Sequence, residues 1–267
     1  MKSLILISTL LSVVSARSSP QHPAPPSHHV FSNPPAHDEG YRIPTLRESA
    51  AMARKIMHLS TIGDLVSVFP EQTHTNELDA QENRPADIAG SPIGLMEYYA
   101  DCDPLSGNPI LLAINIATPY KNYNQGSNIS LGIRWWPIEK NHYSLWTSDD
   151  DEDIPTPHTP AALPRFSLHG RLERLSEERL KDGKIRECFL RAHPDSICWQ
   201  PGNEISHESE YVQLVVDHVY WFGGFGDRAR IGWLSIEDWR NLTMEEVIKA
   251  KLPGEKKAKP SWWREWL

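Results

Sequence analysis

Apolar and polar residues alternate strictly from Ile129 to Trp135, with Ile129, Leu131, Ile133 and Trp135 set against Ser130, Gly132 and Arg134. A period of two marks a strand with one face in a core. The same period recurs at Phe166, Leu168, Gly170 and Leu172, whose polar counterparts Ser167, His169 and Arg171 belong on the wet face. Residues 62–69 and 93–100 are rich in β-branched and aromatic side chains. Residues 110–116 are almost continuously apolar, which predicts a central strand covered on both sides. The longest candidate strand spans residues 211–222, and its two faces are nearly equally apolar, as in a barrel centre or a subunit interface. His218 shares the parity of Val216 and Tyr220, so a hydrogen-bonded core histidine is expected there. A further strand follows the glycines at 223–226, with Ala229, Ile231 and Trp233 expected inward and Arg228 and Arg230 outward.

Elsewhere the period lengthens to that of a helix. Thr45-Leu46-Arg47-Glu48 fits a capping box, and Leu46, Ala50, Ala53 and Met57 follow at helical spacing to about Leu59. Ser176 can cap a second helix, with Glu177 and Glu178 at its positive end and Leu175 stapled onto Leu180. Ile185, Cys188 and Phe189 continue its apolar side until His193-Pro194 stops it, so Cys188 is expected to be a buried small hydrophobe. Ser235 and Thr243 can cap two short terminal helices.

The ends of the chain read differently. Lys2, an apolar run over residues 4–14 and the small residues Val14-Ser15-Ala16 have the layout of a secretory signal peptide cleaved after Ala16. That run is too short to span a bilayer and no later one approaches the needed length, so no membrane span is expected. Residues 17–44 hold seven prolines, together with His22, His28, His29 and His37, and read as a solvated, disordered leader. A barrel domain is expected over 45–243. It is interrupted at 147–164 by a Pro-rich insertion carrying Asp149-Asp150-Asp151-Glu152-Asp153, and followed over 244–267 by a helical, basic-aromatic tail. Secretion would make Asn128 and Asn241 acceptors for N-linked glycans, since each opens a sequon. Cys102, Cys188 and Cys198 allow at most one internal disulfide, and the spacing does not say which two pair.

Charge narrows the partners. With 35 acidic against 27 basic side chains the formal charge is −8, which argues against nucleic acid. The acidic run lacks the ligand spacing and turn glycine of a calcium loop, and no metal site is expected. Gly224 to Ala229 matches the letters of a dinucleotide-binding motif, but that motif must open a helix and here a strand follows, so a hairpin turn is expected. No P-loop, nucleophile elbow or zinc-ligand motif occurs, and no catalytic set is assigned. Lys121 and Asn122, in an expected turn over 118–122, have the chemistry to meet a phosphate.

The order of these elements carries a resemblance. A capped helix, four strands, a fifth strand reading HGRLERL, a helix ending in RAHPDSICW and a long strand running through YWFGGFGDRARIGWL resemble the CREG family of secreted glycoproteins. That family is in turn similar to the FMN-binding split barrels of the pyridoxamine 5′-phosphate oxidase group. The resemblance implies a mainly β, α+β fold: a split β-barrel of six to seven strands with peripheral helices, packed as a homodimer. It also implies that flavin binding has been lost, so no cofactor is expected. The expected function is that of a secreted, non-catalytic glycoprotein that binds a protein partner. The alternative is an FMN- or haem-binding oxidoreductase, with Lys121, Asn122, Arg228 and Arg230 as cofactor-binding residues.

Overall fold

The computed structural model describes residues 42–71, 84–85, 87–137, 160–203, 207–225 and 229–255. Residues 17–41 of the leader, the acidic run, Arg228 and the tail beyond Glu255 lie outside them. No described helix is long and apolar enough to cross a membrane.

Helix α1 (Leu46–Leu59) starts at the expected capping box: the Glu48 amide donates to Thr45 Oγ1 at 3.2 Å, and the Thr45 amide donates to the Glu48 carboxylate at 2.8 Å. Its apolar face, Ala50, Ala53, Ile56 and Met57, is fully buried. Seven strands follow: β1 (Ile62–Val68), β2 (Pro92–Ala100), β3 (Ile110–Ile114), β4 (Ile129–Arg134), β5 (Arg165–Arg174), β6 (Ser209–Phe222) and β7 (Ile231–Leu234). They run β3-β2-β1-β4-β5-β6-β7, and β3 also pairs with β6. The first six therefore close into an antiparallel barrel, and β7 is an extra strand. The fourteen residues of β6 make this possible, because one edge serves β3 over residues 209–213 and β7 over residues 219–222.

The alternation read from the sequence sets the core. Ile129, Leu131, Ile133, Trp135, Phe166 and Leu168 are buried. Strand β3 is covered on both faces, as its unbroken apolar sequence requires. Leu111 and Ala113 join the barrel core, while Ile110 and Leu112 join a second cluster with Leu175, Ile185, Phe189 and Tyr211.

Shorter elements close the remaining sides. Helix α2 (Thr118–Asn124) joins β3 to β4, where a turn was expected. Pro119 fits its first turn, where no amide is needed, and Asn122 is buried. The helix expected to run unbroken from Ser176 is two pieces, α3 (Glu177–Leu180) and α4 (Lys184–Ala192). The break falls at Gly183, whose φ of 73° is left-handed. Cys188, expected to be a buried small hydrophobe, is bonded to Cys102, because α4 packs against the end of β2 and brings the two Cα atoms to 5.8 Å. Cys198 is free and exposed.

The largest departure from the expected pattern lies in β6. His218 is exposed rather than in the core. The register with β5 steps from His169↔His218 to Gly170↔Val216, so Asp217 is an extra residue, a β-bulge. Beyond the bulge the parity reverses: Val216 before it points inward, and after it Val219 and Trp221 point inward and His218 and Tyr220 outward. The reversal carries into β7. Leu234, opposite Val219, is buried, and Trp233, opposite Tyr220, is 59% exposed, contrary to the inward position expected of it.

Helices α5 (Ile236–Arg240) and α6 (Met244–Lys249), capped by Ser235 and Thr243 as expected, lie against α1. The buried Arg54 guanidinium donates to the Trp239 carbonyl at 2.8 Å and sits 5.2 Å from the centre of that indole. Lys55 Nζ donates to the carbonyls of Ile248 and Ala250 and pairs with Glu255 at 2.7 Å. Val247 and Leu252 are buried in the barrel core, so packing continues past Thr243.

Candidate functional site

Strand β2 runs fully alongside β1, from Ile62↔Tyr98 to Val68↔Pro92, but meets β3 only through Tyr99↔Leu111 and Ala100↔Ile110. On its other edge β3 pairs with β6 over its whole length. The barrel is thus split between β2 and β3, and a groove of about 470 Å³ occupies the opening. Leu95, Met96 and Glu97 of β2 form one wall. Ile114, Ile116 and the start of α2 form another, and Trp199, His207 and Ser209 close the end. Leu95, Met96, Ile116 and Trp199 are all more than 40% exposed, an unusual grouping for large apolar side chains.

Trp199 is held there by the motif that ends α4. Pro194 opens a 3₁₀ helix, Pro194–Trp199, that carries the indole to the groove. His193 is buried and donates from Nε2 to the Tyr99 carbonyl at 2.9 Å, and its ring stacks on Tyr98 at 4.1 Å and 7°. Burial pushes the His193 pKa down, so the ring stays neutral and acts as a spacer between strand and helix. The Tyr98 hydroxyl completes the anchor by donating to Asp195 Oδ2 at 2.8 Å.

Glu97 is the one acid in this wall. Burial raises its carboxyl to about 7, against a hydrogen bond from the Tyr98 amide at 3.0 Å that acts to lower it. The buried Tyr120 hydroxyl approaches it without reaching hydrogen-bond geometry. The site therefore has the make-up of a binding pocket: an apolar lining, one desolvated carboxyl and a few hydroxyls. A raised pKa means that the folded protein holds this proton more tightly than the unfolded chain between about pH 4.5 and 7. Stability should therefore fall as pH rises through that window, by on the order of 2–3 kcal/mol, and stay lost above it. Glu97→Gln should remove this loss, so urea midpoints at pH 5 and pH 8 should differ less for the variant than for the parent. Equal differences would show that Glu97 ionises normally.

Of the residues singled out for a cofactor, the described ones, Lys121, Asn122 and Arg230, do not line this groove, and Arg228 lies outside the described residues. The Asn122 amide is buried and donates to Ser67 Oγ at 3.0 Å. Arg230 reaches the Pro44 carbonyl at 3.4 Å, beside the β6–β7 hairpin. Ser67 lies level with Ile129, whereas Ile231, the neighbour of Arg230, lies level with Arg165 and Arg134, five residues away along β4. That is about 17 Å of strand, so Lys121-Asn122 and Arg230 sit at opposite ends of the barrel. The residues present do not form one phosphate cradle. The hairpin pairing of β6 with β7 also settles the glycine motif at 224–229, which precedes a strand and not a helix. Asn128 and Asn241 are both exposed. The sequence did not mark Trp199, His193 or Glu97 as site residues. The only local signal for Glu97 was a lone acid in an otherwise uncharged strand.

A closed six-stranded antiparallel barrel with one added strand, split at β2 and β3 and flanked by short helices, defines a split β-barrel protein. The family model for the CREG β-barrel matches residues 44–241, and the chain belongs to that family. Among solved structures it is similar to a heme-binding protein from Mycobacterium smegmatis, at 20% identity over 74% of this chain, with a TM-score of 0.47. The chain spans 61% of the length of that protein. It is also similar to a general stress protein 26-related protein of the pyridoxinephosphate oxidase family from Clostridium acetobutylicum, at 11% identity over 66% of this chain and 89% of that one, with a TM-score of 0.37. An FAD-binding protein from Mesorhizobium loti aligns at 10% identity over 62% and 87% of the two chains, with a TM-score of 0.36. No curated protein matches.

Proposed function

We propose that the protein is a secreted, non-catalytic glycoprotein that acts as a dimeric binding module, with the groove between β2 and β3 as its recognition surface. The observation that carries this reading is the groove's lining. It offers apolar side chains and one desolvated carboxyl, suited to holding an apolar group that presents a single hydrogen-bond donor or cation. Two further features support secretion: the Cys102–Cys188 bond suits an oxidising compartment, and both sequon asparagines are exposed. The rival reading, an FMN- or haem-dependent oxidoreductase, needs a phosphate or haem site. The separation of Asn122 from Arg230 weighs against the set of residues first assigned to one.

The test is to express the full chain in a eukaryotic secretory host. The medium should contain a colourless protein that begins at Arg17 and has the mass of a dimer by light scattering. Asn128→Gln and Asn241→Gln should each remove one glycan's mass. Titration with FMN and with haemin should add no saturable absorption band. A stoichiometric chromophore, or retention of the chain inside the cell with residues 1–16 attached, would overturn the proposal.

A further inference from the structure

Among the described histidines, two face each other across a strand ladder. His193 is buried and hydrogen-bonded, and His58 is paired with Asp101 at 3.1 Å. His169 and His218 are instead directly opposite each other on β5 and β6, and no protein group among the described residues hydrogen-bonds either ring. His218 is exposed and His169 half-buried. Both rings face the same side of the sheet, since both pack on the Trp233 indole, with centroids 5.6 and 6.2 Å from it. Residues directly opposite on antiparallel strands have Cβ atoms about 4.5–5.5 Å apart, which puts two imidazoles within reach of one ion.

We infer that His169 and His218 form a two-imidazole site for a borderline divalent metal ion on the outer face of the barrel, taking Cu(II) most tightly and Ni(II) and Zn(II) less so. Neutral imidazole is a good ligand for each of these ions, and their order follows the general affinity series for nitrogen sites. Among the described residues no third histidine, cysteine or free carboxylate completes the set, so water fills the other positions. Asp217, the neighbour of His218 in sequence, is committed to Arg171 at 3.2 Å and Arg240 at 3.6 Å. The bulge creates the site. Were Asp217 paired in the ladder and not bulged out of it, His218 would keep the parity of Val216 and point into the core. The ladder on both sides of β6 fixes the two rings before any ion arrives, which spares the ordering cost that a flexible pair would incur.

The test uses the full-length, untagged protein and copper chloride against a weak competing chelator, read by calorimetry and by tryptophan fluorescence. The parent should bind one equivalent of Cu(II) that quenches Trp233. His169→Ala and His218→Ala should each weaken that equivalent by roughly 10²-fold, since each turns a chelating site into a single ligand. Trp233→Phe should keep the binding and lose the associated quenching. Histidines of the leader serve as an internal control, because binding there should be the same in all four proteins. Both His→Ala changes are on the outer face, so unchanged melting temperatures should confirm intact folds. The inference fails if the single variants bind copper with the parent's stoichiometry and affinity, or if the parent binds no more than the His169→Ala/His218→Ala double variant.

Discussion

Gly170→Ala should lower the stability of the barrel by at least about 3 kcal/mol, seen as a fall in melting temperature of roughly 6–12 °C. A Cβ at this position would lie 1.9 Å from the Val215 carbonyl oxygen and 2.9 Å from its carbon. Neither atom can retreat, because both belong to the backbone of the bulged strand. Relief would require β6 to slip by one residue, and a one-residue slip sends every inward side chain of that segment outward. Val219 and Trp221 would leave the core and His218 and Tyr220 would enter it. Thermal melts of the purified variant check this, and a change below about 2 °C would mean that the bulge is not needed. Gly132, where an added Cβ would meet only ordinary contacts at 3.6 and 3.8 Å, is the control and should tolerate alanine far better.

Loss of the Cys102–Cys188 bond should have an effect of similar size. The bond closes a loop with a sequence separation of 86, and removing it restores chain entropy to the unfolded state worth about 4.5 kcal/mol. Cys102→Ser/Cys188→Ser should therefore melt well below the parent, and a reducing agent should lower the parent's melting temperature towards that of the variant. The bond also ties α4 to the end of β2, and the 3₁₀ helix that carries Trp199 continues directly from α4. Reduction should loosen that wall of the groove before the barrel itself opens, and proteolysis near residues 193–203 would reveal it. Mass mapping under non-reducing conditions should find Cys198 alkylated and the other two protected. If the reduced and oxidised proteins melt together, the bond is not a stabilising one.

What the sequence made legible was mostly local. The caps at Thr45, Ser176, Ser235 and Thr243 depend on four consecutive residues each, and all four form as expected. The strands at 129–134 and 165–174 announce themselves because one face is buried and the other wet. What stayed hidden depends on partners far along the chain. The bulge at Asp217 exists because Gly170, 47 positions earlier, admits the Val215 carbonyl; nothing in the sequence around residue 217 breaks the apparent alternation. Cys188 looked like a core residue because α4 does bury that side, but the identity of its neighbour required knowing that α4 crosses the end of β2. Glu97 became notable only once β2 was seen to lose its partner on one edge. Among the proposed cofactor residues, the distance between Asn122 and Arg230 stayed hidden for the same kind of reason: spacing along the chain said nothing of their places on the barrel.

The attachment of α6 to α1 has a consequence for how the domain could be rebuilt. Glu246 both caps its own helix and accepts two hydrogen bonds from Arg47, and Glu255 pairs with Lys55 two turns further along α1. The first and last described segments of the barrel are therefore neighbours along one helix. A short polar linker from Glu255 to Arg42, with new ends cut in the loop between β1 and β2, would give a circular permutant that keeps every strand pairing. In such a chain the α1–α6 contact would lie inside the covalent chain and not between its two ends.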